Sequence, residues 1–193
     1  MGQTINKVQD ELGDLISELE WINLGGGYLL NDTSQLDVLC NIIKGLKQRN
    51  ELDVFFEPGR AIVDQAGYLV ATVIDLFDSG GRTIAVLDTT VNHLPEVFEY
   101  QYQPFVMQEC QDGAHNYRLA GASCLSGDLF GDYCFADKLQ TGNRIIFTKV
   151  GAYMLAKANM FNGINLPAIY SLNSNNELQL QKKYDYSHYR NKW

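Results

Sequence analysis

The sequence lacks any unbroken apolar run that would cross a membrane, and its N-terminus is polar rather than signal-like, so we expect a soluble protein without a membrane partner. Basic residues are scarce as well. With 15 lysines and arginines against 23 acidic residues, the formal net charge of −8 argues against nucleic-acid binding and is compatible with a cationic substrate. The four cysteines show neither metal-ligand spacing nor a secreted disulfide framework, which predicts no metal site and reduced thiols in a cytoplasm.

What the sequence does contain is enough apolar material for a folded core. A chain of 193 residues with 46% hydrophobic content is long enough for one large domain or two small ones. Two amphipathic helices are predicted near the start, the first capped by Thr4 and the second by Thr33 or Ser34. The apolar positions expected to face inward are Ile5, Val8, Leu12, Leu15, Ile16 and Leu19 in the first, and Leu36, Leu39, Ile42, Ile43 and Leu46 in the second.

Two short buried strands follow these helices, and each ends in residues that suit an anionic ligand. Residues 21–24 are closed by Gly25, Gly26 and Gly27, whose exposed backbone N–H groups can cradle an anion. Residues 52–56 end at the sequence Glu57-Pro58-Gly59-Arg60, in which the guanidinium fork suits a phosphate. Each motif alone has a plainer explanation, a flexible turn or a surface ion pair. Together they predict a parallel sheet of the barrel or doubly wound kind with a phosphate site at one edge.

The second half of the chain has the pattern of an antiparallel β structure. Residues 68–78 and 83–87 are rich in β-branched and aromatic residues and flank Ser79-Gly80-Gly81, which predicts a hairpin. Further short strands are predicted at 117–120, 144–147 and 168–172. A domain boundary is expected near 60–68, and residues 173–193 are expected to form a solvated strand or a loose tail.

Two stretches of the β half, residues 121–128 and 151–163, can carry chemistry. Cys124 and Asp128 lie on a loop of small residues, where a thiol can donate a proton and a carboxylate can hold an ammonium group, although a lone cysteine is more often a small buried residue. Tyr153 can place its hydroxyl on a phosphate oxygen or pack in the core. For His93, capping or packing is the default role.

The order of these motifs resembles that of the fold-type III decarboxylases that depend on pyridoxal 5′-phosphate (PLP). The resemblance runs from about Trp21 to Leu172. Within the group, the sequences that look most like carboxynorspermidine/carboxyspermidine decarboxylase are His93-Leu94-Pro95-Glu96-Val97-Phe98-Glu99, Tyr117-Arg118-Leu119, Cys124-Leu125-Ser126-Gly127-Asp128 and Phe161-Asn162-Gly163. The resemblance implies an α/β plus β fold, in which the last strands of a TIM-type (β/α)8 barrel precede an antiparallel β domain like the C-terminal domain of alanine racemase. The corresponding boundaries are 1–66 for the barrel remnant, 67–173 for the β domain and 174–193 for a tail or terminal strand.

The resemblance also implies roles for individual residues. Glu57 would pair with the pyridine nitrogen of PLP, and Cys124 would protonate the substrate carbon after CO2 leaves. Residues implied to hold the PLP phosphate are Gly25, Gly26, Gly27, Gly59, Arg60 and Tyr153, and those implied to bind the substrate are Asp128, Asp88 and His93. In this family the cysteine loop reaches into the neighbouring subunit, which implies a homo- or hetero-dimer with shared active sites. The resemblance also implies a polyamine-type substrate.

One feature of the family has no counterpart here. The family carries its Schiff-base lysine early in the chain, and none of the nine lysines of this sequence stands at a matching position; the histidine that stacks on the cofactor is also missing. We therefore expect a chain that is inactive alone and works as the C-terminal half of a decarboxylase, completed by a lysine-bearing N-terminal half. Two alternatives are a non-catalytic regulatory paralogue that pairs with a full-length decarboxylase, and a β half that acts as an interaction module.

Overall fold

The computed structural model describes residues 7, 8, 10–28, 33–50 and 52–192. The chain divides into two compact units, Met1–Asp64 and Gln65–Trp193. Within the described part of the chain, none of the helices combines the length and apolar character that a membrane crossing requires. The predicted contributions of Thr4 and Ile5 to the first helix lie outside the described residues.

The first unit contains a strand–helix–strand arrangement with parallel strands, as the sequence predicts. Helix α1, described at residues 7, 8 and 10–12, continues into a 3₁₀ turn at Gly13–Glu18. Strand β1 (Trp21–Asn23), helix α2 (Thr33–Asn50), strand β2 (Asp53–Phe55) and helix α3 (Gly59–Val63) follow. Strands β1 and β2 pair in parallel, with Ile22 opposite Val54.

Only one face of this strand pair is covered among the described residues. Ile22 and Val54 pack against the buried side chains of Ile16, Leu46 and Leu52. Because side chains alternate along a strand, their neighbours point away from that cluster. Trp21 and Phe55 are accordingly 59% and 53% exposed, so the prediction of fully buried strands is wrong for these two residues.

The first helical segment also differs from the prediction. Ile16 is buried, but Leu12 and Leu15 are exposed rather than inward. The α-helix gives way to a 3₁₀ turn at Gly13, whose φ is +45°. A 3₁₀ turn has three residues per turn rather than 3.6, so the apolar positions no longer lie on one face.

A six-stranded sheet forms most of the second unit. Its strands are β3 (Leu69–Ser79), β4 (Arg82–Leu87), β5 (Phe105–Val106), β6 (His115–Ala120), β7 (Leu129–Phe135) and β8 (Arg144–Thr148), in the order β5-β8-β3-β4-β6-β7. The predicted hairpin is present, because β3 and β4 pair antiparallel around Gly80 and Gly81. All neighbours are antiparallel except β4 and β6, which are parallel.

The inward faces of these strands make the main core, with Val73, Leu87, Leu119, Ile145 and Phe147 fully or almost fully buried. Strands β5 and β7 were missing from the sequence prediction. Two helices contribute to the same unit: α4 (Pro95–Tyr100) and α5 (Met154–Lys157). Lys157 contacts Glu99 and, at 3.8 Å, the buried carboxylate of Glu96, which ties α5 to α4.

The end of the chain is ordered into a hairpin and a helix. Strands β9 (Ile169–Leu172) and β10 (Leu178–Lys182) pair antiparallel and are almost entirely exposed, as expected of a solvated strand. Helix α6 (Tyr186–Arg190) begins with a capping box, in which the side chains of Asp185 and His188 each accept from the other's backbone N–H, and Asp185 also accepts hydrogen bonds from Ser187. These hydrogen bonds lower the pKa of Asp185 to about 2. The alternative of a loose tail is wrong for this helix.

Candidate functional site

In the first unit, Glu57 and the glycine turn are joined by hydrogen bonds. The amide of Asn23, the last residue of β1, donates to Glu57 Oε1 at 2.8 Å, and its carbonyl oxygen accepts from the backbone N–H of Gly25 at 2.8 Å. The backbone N–H of Glu57 donates to the carbonyl of Gly25 at 2.9 Å. The ends of β1 and β2 are therefore locked together, and the Glu57 carboxylate is fixed in direction.

Asn23 was not singled out from the sequence. The only available signal was its place at the end of a strand, directly before the glycines.

The glycine turn leaves its backbone open on one side. Gly25 and Gly27 have φ values of +71° and +86°, and a Cβ at either would meet nothing within 4 Å. A Cβ at Gly26 would lie 2.5 Å from the carbonyl oxygen of Glu57, so no side chain fits there. This geometry fits a phosphate group, because no side chain blocks the approach of an anion to the backbone of the turn.

Gly59 and Arg60 follow Glu57 and Pro58 at the start of α3. The guanidinium of Arg60 is 3.7 Å from the buried carboxylate of Asp64, and the Gly59 N–H donates to the Glu57 carbonyl at 2.8 Å. These contacts keep Arg60 on the same short segment as Glu57.

In the second unit, Asp128 holds the cysteine loop from inside. Its Oδ1 accepts from the backbone N–H of Val91 at 2.8 Å and from the hydroxyl of Thr90 at 3.1 Å. Its Oδ2 accepts from the backbone N–H of Ser123 at 3.0 Å and from the Ser123 hydroxyl. The side chain is buried and both oxygens have partners, so the geometry favours a structural role. The assignment of Asp128 to the substrate amine stays a prediction that this arrangement does not support.

Cys124 lies in the middle of the same loop. It is exposed, so the alternative of a small buried core residue is wrong. The side-chain amide of Asn162 donates to Cys124 Sγ at 2.8 Å. The loop therefore presents a thiol whose sulfur already accepts one hydrogen bond.

His93 is buried in a short 3₁₀ turn, Val91–His93, close to this loop. Its Nδ1 lies 2.8 Å from the Thr89 hydroxyl, and its Nε2 has no hydrogen-bond partner among the described residues. Burial lowers the pKa of His93 to about 4, although the carboxylate of Asp128 acts in the opposite direction. The ring is neutral at physiological pH, as a packing role requires, and its use in substrate binding stays a prediction.

The two remaining predicted residues are exposed. Asp88 follows β4, and its Oδ1 accepts from the backbone N–H of Thr72 at 2.6 Å. Tyr153 is 56% exposed and has a φ of +62°, so it is not a core tyrosine. The predicted site residues thus form two groups: Gly25, Gly26, Gly27, Glu57, Gly59 and Arg60 in the first unit, and Asp88, His93, Cys124, Asp128 and Tyr153 in the second.

Comparison with known proteins gives consistent results. A family model described as pyridoxal-dependent decarboxylase, C-terminal sheet domain, matches residues 37–151. Carboxyaminopropylagmatine decarboxylase from Synechocystis is 39% identical over 98% of this chain and 50% of the relative. Carboxynorspermidine/carboxyspermidine decarboxylase from Campylobacter jejuni is 32% identical over 94% of this chain and 51% of the relative.

Solved structures agree with these relatives. The crystal structure of carboxynorspermidine decarboxylase from Campylobacter jejuni, complexed with norspermidine, superimposes with a TM-score of 0.81 and 30% identity, covering 98% of this chain and 57% of that one. The predicted fold class, a partial barrel followed by a β domain, is confirmed. The chain spans about half the length of the curated relatives it matches. It belongs to the pyridoxal-dependent decarboxylases that carry this C-terminal sheet domain.

Proposed function

We propose that this chain acts as the C-terminal half of a PLP-dependent decarboxylase in polyamine biosynthesis, working in the cytoplasm. The observation that carries the proposal is the Glu57 carboxylate held by Asn23 beside an open glycine turn. The substrate class is an amino acid whose side chain is a polyamine, as in carboxynorspermidine and carboxyspermidine. Carboxyaminopropylagmatine is the second candidate, because the Synechocystis relative is named for that substrate and is 39% identical.

The first unit would bind the cofactor. The backbone of the Gly25–Gly27 turn and the guanidinium of Arg60 would hold the phosphate, and Tyr153 would add its hydroxyl. Glu57 would hold a proton on the pyridine nitrogen. When bound, PLP supplies an electron sink that makes loss of CO2 feasible.

The second unit would act on the substrate. Cys124 would give its proton to the carbon that has lost CO2. Between the two carboxylates proposed for the substrate amine, Asp88 is exposed and Asp128 is enclosed by its loop. The proposal therefore retains Asp88 for that amine, and a net charge of −8 favours a cationic substrate.

The covalent anchor for the cofactor would come from a lysine-bearing N-terminal half, on the same polypeptide or on a separate one. The active unit would be a dimer in which the Cys124 loop reaches the neighbouring site. The curated relatives are about twice as long as this chain, which supports the requirement for a second half.

The test is to assemble the chain with its lysine-bearing half and measure CO2 release from the three candidate substrates. Glu57→Gln removes the charge that holds the ring proton and should reduce turnover by roughly a hundredfold or more. Glu20→Gln is the matched control, because Glu20 is an exposed carboxylate at the opposite end of β1.

Two outcomes would contradict the proposal. Reduction with borohydride should attach the cofactor to a lysine outside this chain, so a label on any of its nine lysines would refute the assignment of the missing anchor. If the assembly releases no CO2 and instead slows an intact decarboxylase, the chain is a regulatory paralogue.

A further inference from the structure

Two loops of the second unit meet at the Cys124 thiol. One comprises residues 121–128 and carries the cysteine; the other comprises residues 159–163 and carries Asn162. The amide nitrogen of Asn162 lies 2.8 Å from Cys124 Sγ, and the two residues are 38 positions apart in the chain. The chain runs through β7, β8 and α5 between these loops, so the contact depends on how each loop is held.

Both loops are anchored to the same short segment, residues 90–92. The backbone N–H of Val91 donates to Asp128, at the base of the cysteine loop. The carbonyl of Asn92 accepts from the backbone N–H of Asn159, at the base of the second loop, at 3.1 Å. Because the consecutive residues Val91 and Asn92 hold one end of each loop, they limit how far Asn162 and Cys124 can move relative to each other.

Asn162 adopts a backbone conformation that favours glycine. Its φ and ψ are 56° and 20°, in the left-handed region, and Gly163 follows with a φ of +76°. The turn is held by Phe161, whose N–H donates to Asn159 Oδ1 at 3.0 Å, and by the buried side chain of Met160. Asparagine tolerates this region better than most residues, but glycine fits it without cost. What asparagine provides and glycine does not is the side-chain amide that reaches the sulfur.

We infer that Asn162 is a positioning residue for the proton donor of the proposed reaction. The inference rests on the function proposed for Cys124. With its amide hydrogen directed at a sulfur lone pair, Asn162 fixes the rotation of the thiol and leaves the S–H bond free to point at the substrate.

The proton balance of this step is simple. The electron pair left on the substrate carbon by departure of CO2 forms the new C–H bond, and the S–H bond breaks. The sulfur keeps the two electrons of the broken S–H bond as a thiolate and later regains a proton from water. A hydrogen bond to a charged acceptor is stronger than one to a neutral acceptor, so the Asn162 amide favours the state in which the proton has been given away.

The first experiment needs only the chain itself. Alkylation of Cys124 by iodoacetamide is followed by peptide mass spectrometry at a fixed neutral pH, with exposed Cys40 as the internal reference. Asn162→Gly keeps the left-handed backbone and removes the donor, and Asn162→Asp keeps the shape and removes the donor. Asn162→Gly should slow alkylation of Cys124 relative to Cys40 by about threefold, because the thiolate is the reactive form and loses its hydrogen bond. Asn162→Asp should slow it at least as much, because it also places a negative charge beside the thiolate.

The matched control is Asn176→Gly. Asn176 has a φ of +60° in the turn between β9 and β10, so the substitution is identical in type and backbone conformation. It should leave alkylation of Cys124 unchanged. If the Asn162 variants alkylate at the parental rate, the hydrogen bond does not act on the thiol and the inference is overturned.

The second experiment uses the assembled decarboxylase. Asn162→Gly should lower kcat about tenfold with little change in KM, because Asn162 acts on the proton donor rather than on substrate binding. Added to Cys124→Ala, the same substitution should cause no further loss. An equal loss in both backgrounds would overturn the inference.

The two experiments separate this inference from the proposed function. Slower alkylation together with full activity of Cys124→Ala would mean that the contact is real and the proposed proton donor is wrong. Impaired Cys124→Ala with unimpaired Asn162→Gly would reject the positioning role alone. If no decarboxylase activity can be assembled, the proposed function fails and the alkylation result decides whether Asn162 acts on the thiol.

Discussion

Replacing Asp128 by alanine tests whether this carboxylate holds the loop or serves the substrate. The side chain is 6% exposed and accepts hydrogen bonds from two main-chain donors, Val91 and Ser123. Without the carboxylate, the buried N–H of Val91 and the partly buried N–H of Ser123 lose their acceptor. A buried unsatisfied donor costs about 1–3 kcal/mol, so we expect Asp128→Ala to lower the free energy of unfolding by roughly 3–5 kcal/mol.

Urea unfolding measures this loss of stability. It can be followed by near-ultraviolet circular dichroism, to which Tyr117 and Tyr133, buried in the same unit as Asp128, contribute. Asp132→Ala is the matched control. Asp132 forms ion pairs with Arg118 at 2.7 Å and Arg82 at 3.2 Å, but its side chain is 54% exposed. Exposed pairs of this kind contribute about 1 kcal/mol or less.

The loss in the free energy of unfolding should therefore be several times larger for Asp128→Ala than for Asp132→Ala. If Asp128→Ala destabilises the protein no more than Asp132→Ala, the hydrogen bonds to the loop are not supporting it. The reasoning that removes Asp128 from the substrate site would then be wrong. A large loss of stability in Asp128→Ala, with normal stability in Asp88→Ala, would agree with the proposal that Asp88 meets the substrate amine.

Three further predictions concern pH, the glycine turn and the α4–α5 contact. Burial lowers the pKa of His93 from 6.5 to about 4, so between these pH values His93 takes up a proton in the unfolded chain but not in the folded one. The free energy of unfolding should therefore fall by up to about 3 kcal/mol from pH 6.5 to 4, and by much less in His93→Gln, as measured by urea titrations. Gly26→Ala should cost about 2 kcal/mol or more because its Cβ would meet a backbone carbonyl, whereas Gly45→Ala, in a helix with open space, should stabilise by about 0.5–1 kcal/mol in thermal melts. Lys157→Met should lower the melting temperature by leaving buried Glu96 without this cation, and Lys157→Arg should retain most of it.

The sequence was informative where a local pattern determines the structure. The glycines and Ser79 between two β-branched segments predicted the β3–β4 hairpin. Gly25 and Gly27 indicated an open turn, because glycine adopts their φ values without strain. Strand β7 was missed because Gly131 and Asp132 look like loop residues. Gly131 is required there, since a Cβ would clash with the side chain of Gln103.

The residues that sequence reasoning missed depend on partners far away in the chain. Asn23 reaches Glu57 across 34 residues and Asn162 reaches Cys124 across 38. Asparagine is common in turns for local reasons, so residue type and spacing assigned no role to Asn23, or to Asn162 within the Phe161-Asn162-Gly163 motif. For Asp128 the sequence predicted a substrate contact and the structure shows a buried side chain. A carboxylate at the end of a small-residue loop looks the same in the sequence whether it faces a substrate or is buried under the loop.

Residues 89–93 join several of these features in one place. Thr90 and Val91 donate to Asp128 and so hold the cysteine loop, and Asn92 accepts from the base of the loop that carries Asn162. His93 is buried next to these residues as a neutral ring, hydrogen-bonded to Thr89. Protonating His93 would place a charge in the same buried cluster that positions the thiol, at a cost set by its burial. Burial therefore lowers the pKa of His93 and keeps its ring neutral within the segment that holds both loops.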